Sequence, residues 1–131
     1  MNRNHVLTAF AVLSLQTPEI LGSWHGRSTC VDRAHFPACR DEEVIYDVRA
    51  HPGTRDTVTL RADKVVNGQR ESMGELDFTK APDSSWVAEF QTPRAHDRWV
   101  FRVSGARMTG TLTDLTSGRQ IREVVVERVQ R

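Results

Sequence analysis

Trp86-Val87-Ala88-Glu89-Phe90-Gln91 and, after a polar break, Arg98-Trp99-Val100-Phe101-Arg102-Val103 place large apolar side chains at every second position. A period of two puts Trp86, Ala88 and Phe90 on one face of a strand, and Trp99, Phe101 and Val103 on one face of the next. The opposite faces carry Glu89, Gln91, Arg98 and Arg102, so each strand is half buried. The same alternation extends in both directions. It is carried by Val44, Tyr46 and Val48, by Val58, Leu60 and Ala62, by Leu76 and Phe78, and by Met108, Gly110 and Leu112. Turn chemistry separates the runs at His51-Pro52-Gly53-Thr54, Asn67-Gly68, Ala81-Pro82-Asp83-Ser84, Ser104-Gly105 and Ser117-Gly118. With 21–30 as the first strand and 119–129 as the last, eight strands are expected. The six between them fall at about 43–50, 56–65, 71–79, 85–92, 97–103 and 106–114.

No segment after residue 20 has the 3.6-residue period of a long amphipathic helix. Eight sequential antiparallel strands joined by short turns favour a closed up-and-down barrel over a sandwich, which needs crossing connections. Closure also removes the exposed edges that invite aggregation. The expected fold is therefore all-β, an eight-stranded antiparallel barrel formed by one domain over 21–131. The chain has 131 residues and a formal net charge of +1, from 18 Lys and Arg against 17 Asp and Glu. That near-neutral balance offers little attraction to phosphate and argues against a nucleic-acid binder. No apolar run reaches the ~20 residues of a membrane-spanning helix.

Residues 1–20 differ in character. Arg3 lies in a short start without acids, Val6 to Leu15 is apolar apart from Thr8 and Ser14, and Gln16-Thr17-Pro18-Glu19 is a polar break. That is the layout of a secretory signal, and it implies a periplasmic or secreted protein. A buried N-terminal helix or strand is the other reading. Cys30 and Cys39 are the only cysteines, close in sequence and downstream of the expected signal, which reads as a disulfide. The rival is a zinc site, with His35 between the cysteines and His25 and His51 nearby, but the tight C-x2-C ligand pair of such sites is missing.

Gly22-Ser23-Trp24 opens the first strand, and Val126-Glu127-Arg128-Val129 closes the last. A G-x-W at the start of eight antiparallel strands, with a basic residue near the end of the eighth, resembles the calycin superfamily of lipocalins and avidins. The second and third conserved stretches of vertebrate lipocalins have no counterpart here. The likeness is therefore nearer to a small bacterial lipocalin-like or avidin-like barrel, and no biotin-binding set maps onto the chain. The resemblance implies that Trp24 closes one end of the barrel and that Arg128 packs across its indole. It also implies an opposite, open end near the Cys30–Cys39 loop and the turns at 64–71, 91–97 and 114–118. Ser28, Tyr46, Phe90, Trp99 and Leu112 would then face inward near that mouth. Leu60, Leu76, Phe78, Trp86 and Phe101 would lie deeper. The same side chains also suit a filled core.

No catalytic or phosphate-binding motif is present, and no cofactor is expected. His96 beside Asp97 reads as a solvated loop pair, although a His beside an Asp also suits a base or a haem ligand. Glu71, Glu75 and Asp77 are expected on the wet face of their strand, and Arg122, Glu123 and Glu127 in surface ion pairs. Two functions of different kinds follow. One is an exported barrel that binds a small apolar ligand. The other is a protein-interaction module such as an inhibitor of a secreted hydrolase, with the 30–39 loop as the contact and Phe36 as its apolar tip. An enzyme ranks third.

Overall fold

A computed structural model describes residues 19–130. The expected signal at 1–20 lies outside the described residues except for Glu19 and Ile20. Eight strands follow one another: β1 (Gly22–Cys30), β2 (Glu42–Ala50), β3 (Thr57–Val66), β4 (Gln69–Lys80), β5 (Trp86–Thr92), β6 (Ala95–Ser104), β7 (Arg107–Asp114) and β8 (Gln120–Arg128). They form a closed antiparallel barrel in sequential order. No helix among the described residues is long and apolar enough to cross a membrane.

Local chemistry sets the turns. Asn67 and Gly68 join β3 to β4 with positive φ at both positions, 52° and 76°, as a two-residue hairpin turn requires. Closure is made by β1 against β8, from Trp24 opposite Arg128 to Cys30 opposite Arg122. Gly26 permits that seam: a Cβ there would stand 2.1 Å from the Val125 carbonyl oxygen and 2.7 Å from the Val126 Cα. The seam between β4 and β5 is thin, holding only Thr79 opposite Val87 and Lys80 opposite Trp86.

A bulge corrects one expectation. The register of β3 and β4 shifts between Ala62 and Asp63, so Ala62 faces Gly74 while Asp63 faces Ser72 and Met73 is the extra residue. A one-residue slip exchanges the faces of a strand. Glu71 therefore falls on the same face as Lys64, which continues the inner surface of the barrel, and the two lie 3.8 Å apart. Glu75 and Asp77, beyond the bulge, keep the outer face. There they meet Arg49 at 2.9 Å and the Thr59 hydroxyl at 2.7 Å.

The half of the barrel toward Trp24 is solid. Trp24, Phe78, Phe101, Met108 and Val126 are all buried. Phe101 sits at the centre, edge-on to Phe78 at 5.3 Å and to Tyr46 at 5.8 Å, and stacked on Trp99 at 5.5 Å. Gly110 makes room for it, because a Cβ there would come within 2.4 Å of the Phe101 ring. On β8 the inner face is Val124 and Val126, while Val125 is exposed. Arg128 covers the closed end, with its guanidinium carbon 4.3 Å from the Trp24 ring centroid. It donates to the carbonyls of Leu21, at 2.5 Å, and of Glu19. The Trp24 indole N–H donates to the Ile20 carbonyl at 2.9 Å, and Ile20 itself is fully buried in the core. Glu19 and Ile20 thus take part in the closed end, ahead of the expected boundary at 21.

Candidate functional site

The end opposite Trp24 is built from the finish of β1, β3, β5 and β7 and the start of β2, β4, β6 and β8. Cys30 and Cys39 are joined in a disulfide with a Cα–Cα distance of 6.0 Å, which removes both thiolates as ligands for zinc. The loop they close is fastened to the barrel. The Cys30 amide donates to Asp41 Oδ1 at 2.9 Å, the Val31 amide donates to the Ile121 carbonyl at 3.1 Å, and Arg33 meets Asp41 at 2.9 Å. His35 pairs with Asp32 at 3.0 Å. The amide of Cys30 and the Arg33 guanidinium hold the Asp41 carboxyl below the usual carboxylate range, and His35 does the same for Asp32.

Arg122 is not a surface charge, contrary to expectation. Its position alternates with Val124 and Val126, so it points inward, with 15% of its side chain exposed, and meets Glu42 Oε1 at 3.1 Å. It also donates to Ser28 Oγ at 3.0 Å and, through Nη2, to the Arg40 carbonyl at 2.7 Å. One guanidinium therefore ties the barrel wall to the end of the disulfide loop. Tyr46 lies just below. Burial, reinforced by the Glu42 charge and partly offset by Arg122, pushes its hydroxyl pKa well above the usual value, so it stays a neutral donor and acceptor.

By strand register Ser28, Tyr46, Phe90, Trp99 and Leu112 lie on the inner face, and none of them lines the cleft beside Phe36. Ser28, Tyr46 and Leu112 are buried, while Phe90 and Trp99 are half-buried. Trp99 lies opposite Leu112 on one side and Ala88 on the other, and Phe90 lies opposite Asp97. The two aromatic rings nearest the mouth thus keep access to solvent, whereas those of the closed half do not. Phe36 is half-buried between exposed neighbours. It does not project as a tip: it lines a cleft of about 470 Å³ that runs from the loop to the β5–β6 turn, Asp114 and Thr116.

His96 and Asp97 take opposite faces of β6, although both border the same cleft and the His96 charge partly offsets the burial-driven rise in the Asp97 pKa. Both lie in β6, where adjacent residues point to opposite faces. His96 faces out toward Glu89 at 3.5 Å, and Asp97 faces in, 8% exposed, at the edge of the cleft. Its cross-strand neighbour is Asp114. Asp114 accepts from the Thr116 amide at 3.0 Å and the Ser117 hydroxyl at 2.7 Å, and these bonds lower its pKa. Burial, and then the charge of Asp114, raise the pKa of Asp97. Asp97, Asp114, Glu42 and Arg122 are polar inner residues not anticipated from the sequence. Each shares the alternation of its apolar neighbours (Trp99, Leu112, Tyr46 and Val124), and that is the signal that could have found them.

No protein-family model matches the chain, and no curated protein matches it by sequence. Its fold is similar to that of the siderocalin Ex-FABP, a protein described as functioning through dual ligand specificities, with a TM-score of 0.53 and 13% identity. The likeness covers 86% of this chain and 76% of that one. At that identity the shared property is architecture alone, an eight-stranded antiparallel barrel.

Proposed function

We propose that this protein is an exported barrel that binds a small ligand with an apolar body, held at the open end against Phe90, Trp99 and Leu112. The observation that carries the reading is the contrast between inner aromatics. Trp24, Phe78, Trp86 and Phe101 are 0–4% exposed, yet Phe90 and Trp99, on the same inner surface, remain half-open to solvent. Apolar rings facing a concavity, with a few fixed polar groups beside them, make up the usual lining of a small-molecule site. Ser28, Tyr46, Glu42 and Arg122 supply the polar groups. The lipocalin-like fold of the siderocalin neighbour supports binding rather than catalysis, and so does the separation of His96 from Asp97 on opposite faces. The disulfide supports an oxidising compartment. Export would leave Glu19 and Ile20 in the mature chain, because both hold the closed end. Titration calorimetry with octan-1-ol tests the reading. Saturable one-to-one binding, weakened at least tenfold by Trp99→Ala and unchanged by Val125→Ala on the outer face, is expected. Absence of saturable binding by any eight-carbon amphiphile, whatever its head-group charge, overturns it.

A further inference from the structure

Asp97 and Asp114 stand directly opposite each other on one inner face of the β6–β7 ladder. Like charges in that relation repel and destabilise the pair. The two carboxylates differ in how they are satisfied. Asp114 is held by the turn that follows it, through Thr116 and Ser117. Asp97 accepts no hydrogen bond and makes no ion pair among the described residues, although it is only 8% exposed and borders the cleft. Its residue surface is largely covered, yet its carboxylate oxygens still reach the solvent of the cleft and have no partner within the described residues. The other inner charges at this end are matched: Glu42 by Arg122 and Glu71 by Lys64. Arg94 is exposed on the turn at the rim, where solvent screens it. His96 borders the same cleft beside Arg94, so Asp97 and Asp114 form an acidic pair within a mixed rim, flanked by the apolar Phe36, Pro93 and Ile121.

We propose that this cleft receives an organic ammonium group, with Asp97 as its counter-ion and the apolar body of the same ligand lying toward Trp99 and Phe90. The inference rests on the ligand-binding reading above and adds the charge of the ligand to it. An ammonium head supplies three donors, enough to bridge the free oxygens of Asp97 and reach the edge of Asp114. It also relieves the cross-strand repulsion, which no neutral or anionic ligand does. The raised pKa of Asp97 accords with a carboxylate whose partner arrives from outside the chain.

Octylammonium, octan-1-ol and octanoate share one apolar body and differ in head-group charge. Their affinities at neutral pH and low salt are compared on the wild-type protein and on Asp97→Asn. Octylammonium is expected to bind at least tenfold more tightly than octanol, and octanoate more weakly than either. Asp97→Asn should bring octylammonium to within about threefold of octanol measured on the same variant. The ranking on the wild type tests the proposal without any variant. Octanol or octanoate binding as tightly as octylammonium overturns the inference and leaves the ligand-binding reading standing. So does a preference for octylammonium that survives Asp97→Asn. Failure of all three probes to bind overturns both.

Discussion

Arg128 and Asp97 are the residues whose surroundings say most about the two ends of the barrel. Arg128 lies over Trp24 and donates to two carbonyls at the entry of β1. Cation–π attraction and charged hydrogen bonds together lead us to expect Arg128→Ala to cost about 2 kcal/mol or more in urea denaturation. Arg128→Lys should recover only part of that, because an ammonium cannot lie flat on the indole while reaching both carbonyls. Asp97 works in the opposite sense. Its folded-state pKa is raised, so its ionised form disfavours folding at pH values above that pKa. Asp97→Asn should therefore stabilise the protein at neutral pH by about 0.2–1 kcal/mol, the range for relief of a like-charge cross-strand pair. The gain should vanish as pH falls below the ordinary aspartate value of about 3.9, where the wild-type carboxyl is protonated in both states. Asp83 is the converse case. Hydrogen bonds from Ser85 and then Arg102 lower its pKa to about 2, so its stabilising contribution is present above about pH 4 and is lost on acidification toward 2. Denaturation followed across pH 2–7 separates the two.

Among the elements, the β1–β8 seam and the disulfide loop set how tightly the barrel is drawn together. Gly26→Ala would drive a Cβ into the backbone of Val125 and Val126, which only separation of the strands can relieve. Gly110→Ala would press on the Phe101 ring, which can give by a rotamer change. Overpacking of that kind costs typically about 1–3 kcal/mol, and we expect Gly26→Ala to exceed Gly110→Ala in thermal denaturation. Replacing both Cys30 and Cys39 by Ser should cost roughly 2.5 kcal/mol, the chain-entropy value for a loop of about ten residues. The strands were legible in the sequence to within two residues, because alternation and turn chemistry agree along most of the chain. Two features were not. The bulge at Met73 is invisible to alternation, since Glu71, Glu75 and Asp77 remain evenly spaced through it, and so Glu71 was placed on the wrong face. The inward polar residues were hidden because a charged residue at a strand end reads as a solvated terminus. The register of Arg122 with Val124, and of Asp97 with Trp99, places them inside.

At the scale of the whole molecule, the barrel has a half toward Trp24 whose rings are buried and a half toward the disulfide loop where Phe90 and Trp99 are only half-buried. Trp24, Phe78, Trp86 and Phe101 fill the first, and the second is rimmed by the stapled loop and the Asp97–Asp114 pair. The sequence alone allowed either a filled or a hollow interior, because an inward aromatic serves both. The depth at which each ring sits depends on tertiary register, which alternation does not report. If the chain is exported, the N-terminus of the secreted material should lie at or before Glu19, since Ile20 is buried and its carbonyl holds the Trp24 indole. Intact-mass measurement reads that terminus and the two-hydrogen deficit of the disulfide together. The central claim, that the half toward the disulfide loop is a ligand site, is tested most directly by amide chemical-shift mapping during titration with octylammonium. Saturable shifts are expected at Ser28, Tyr46, Phe90, Asp97, Trp99 and Leu112, with Trp24, Met108 and Arg128 unmoved. Shifts confined to the closed end or the outer face, or none at saturating probe, would contradict it.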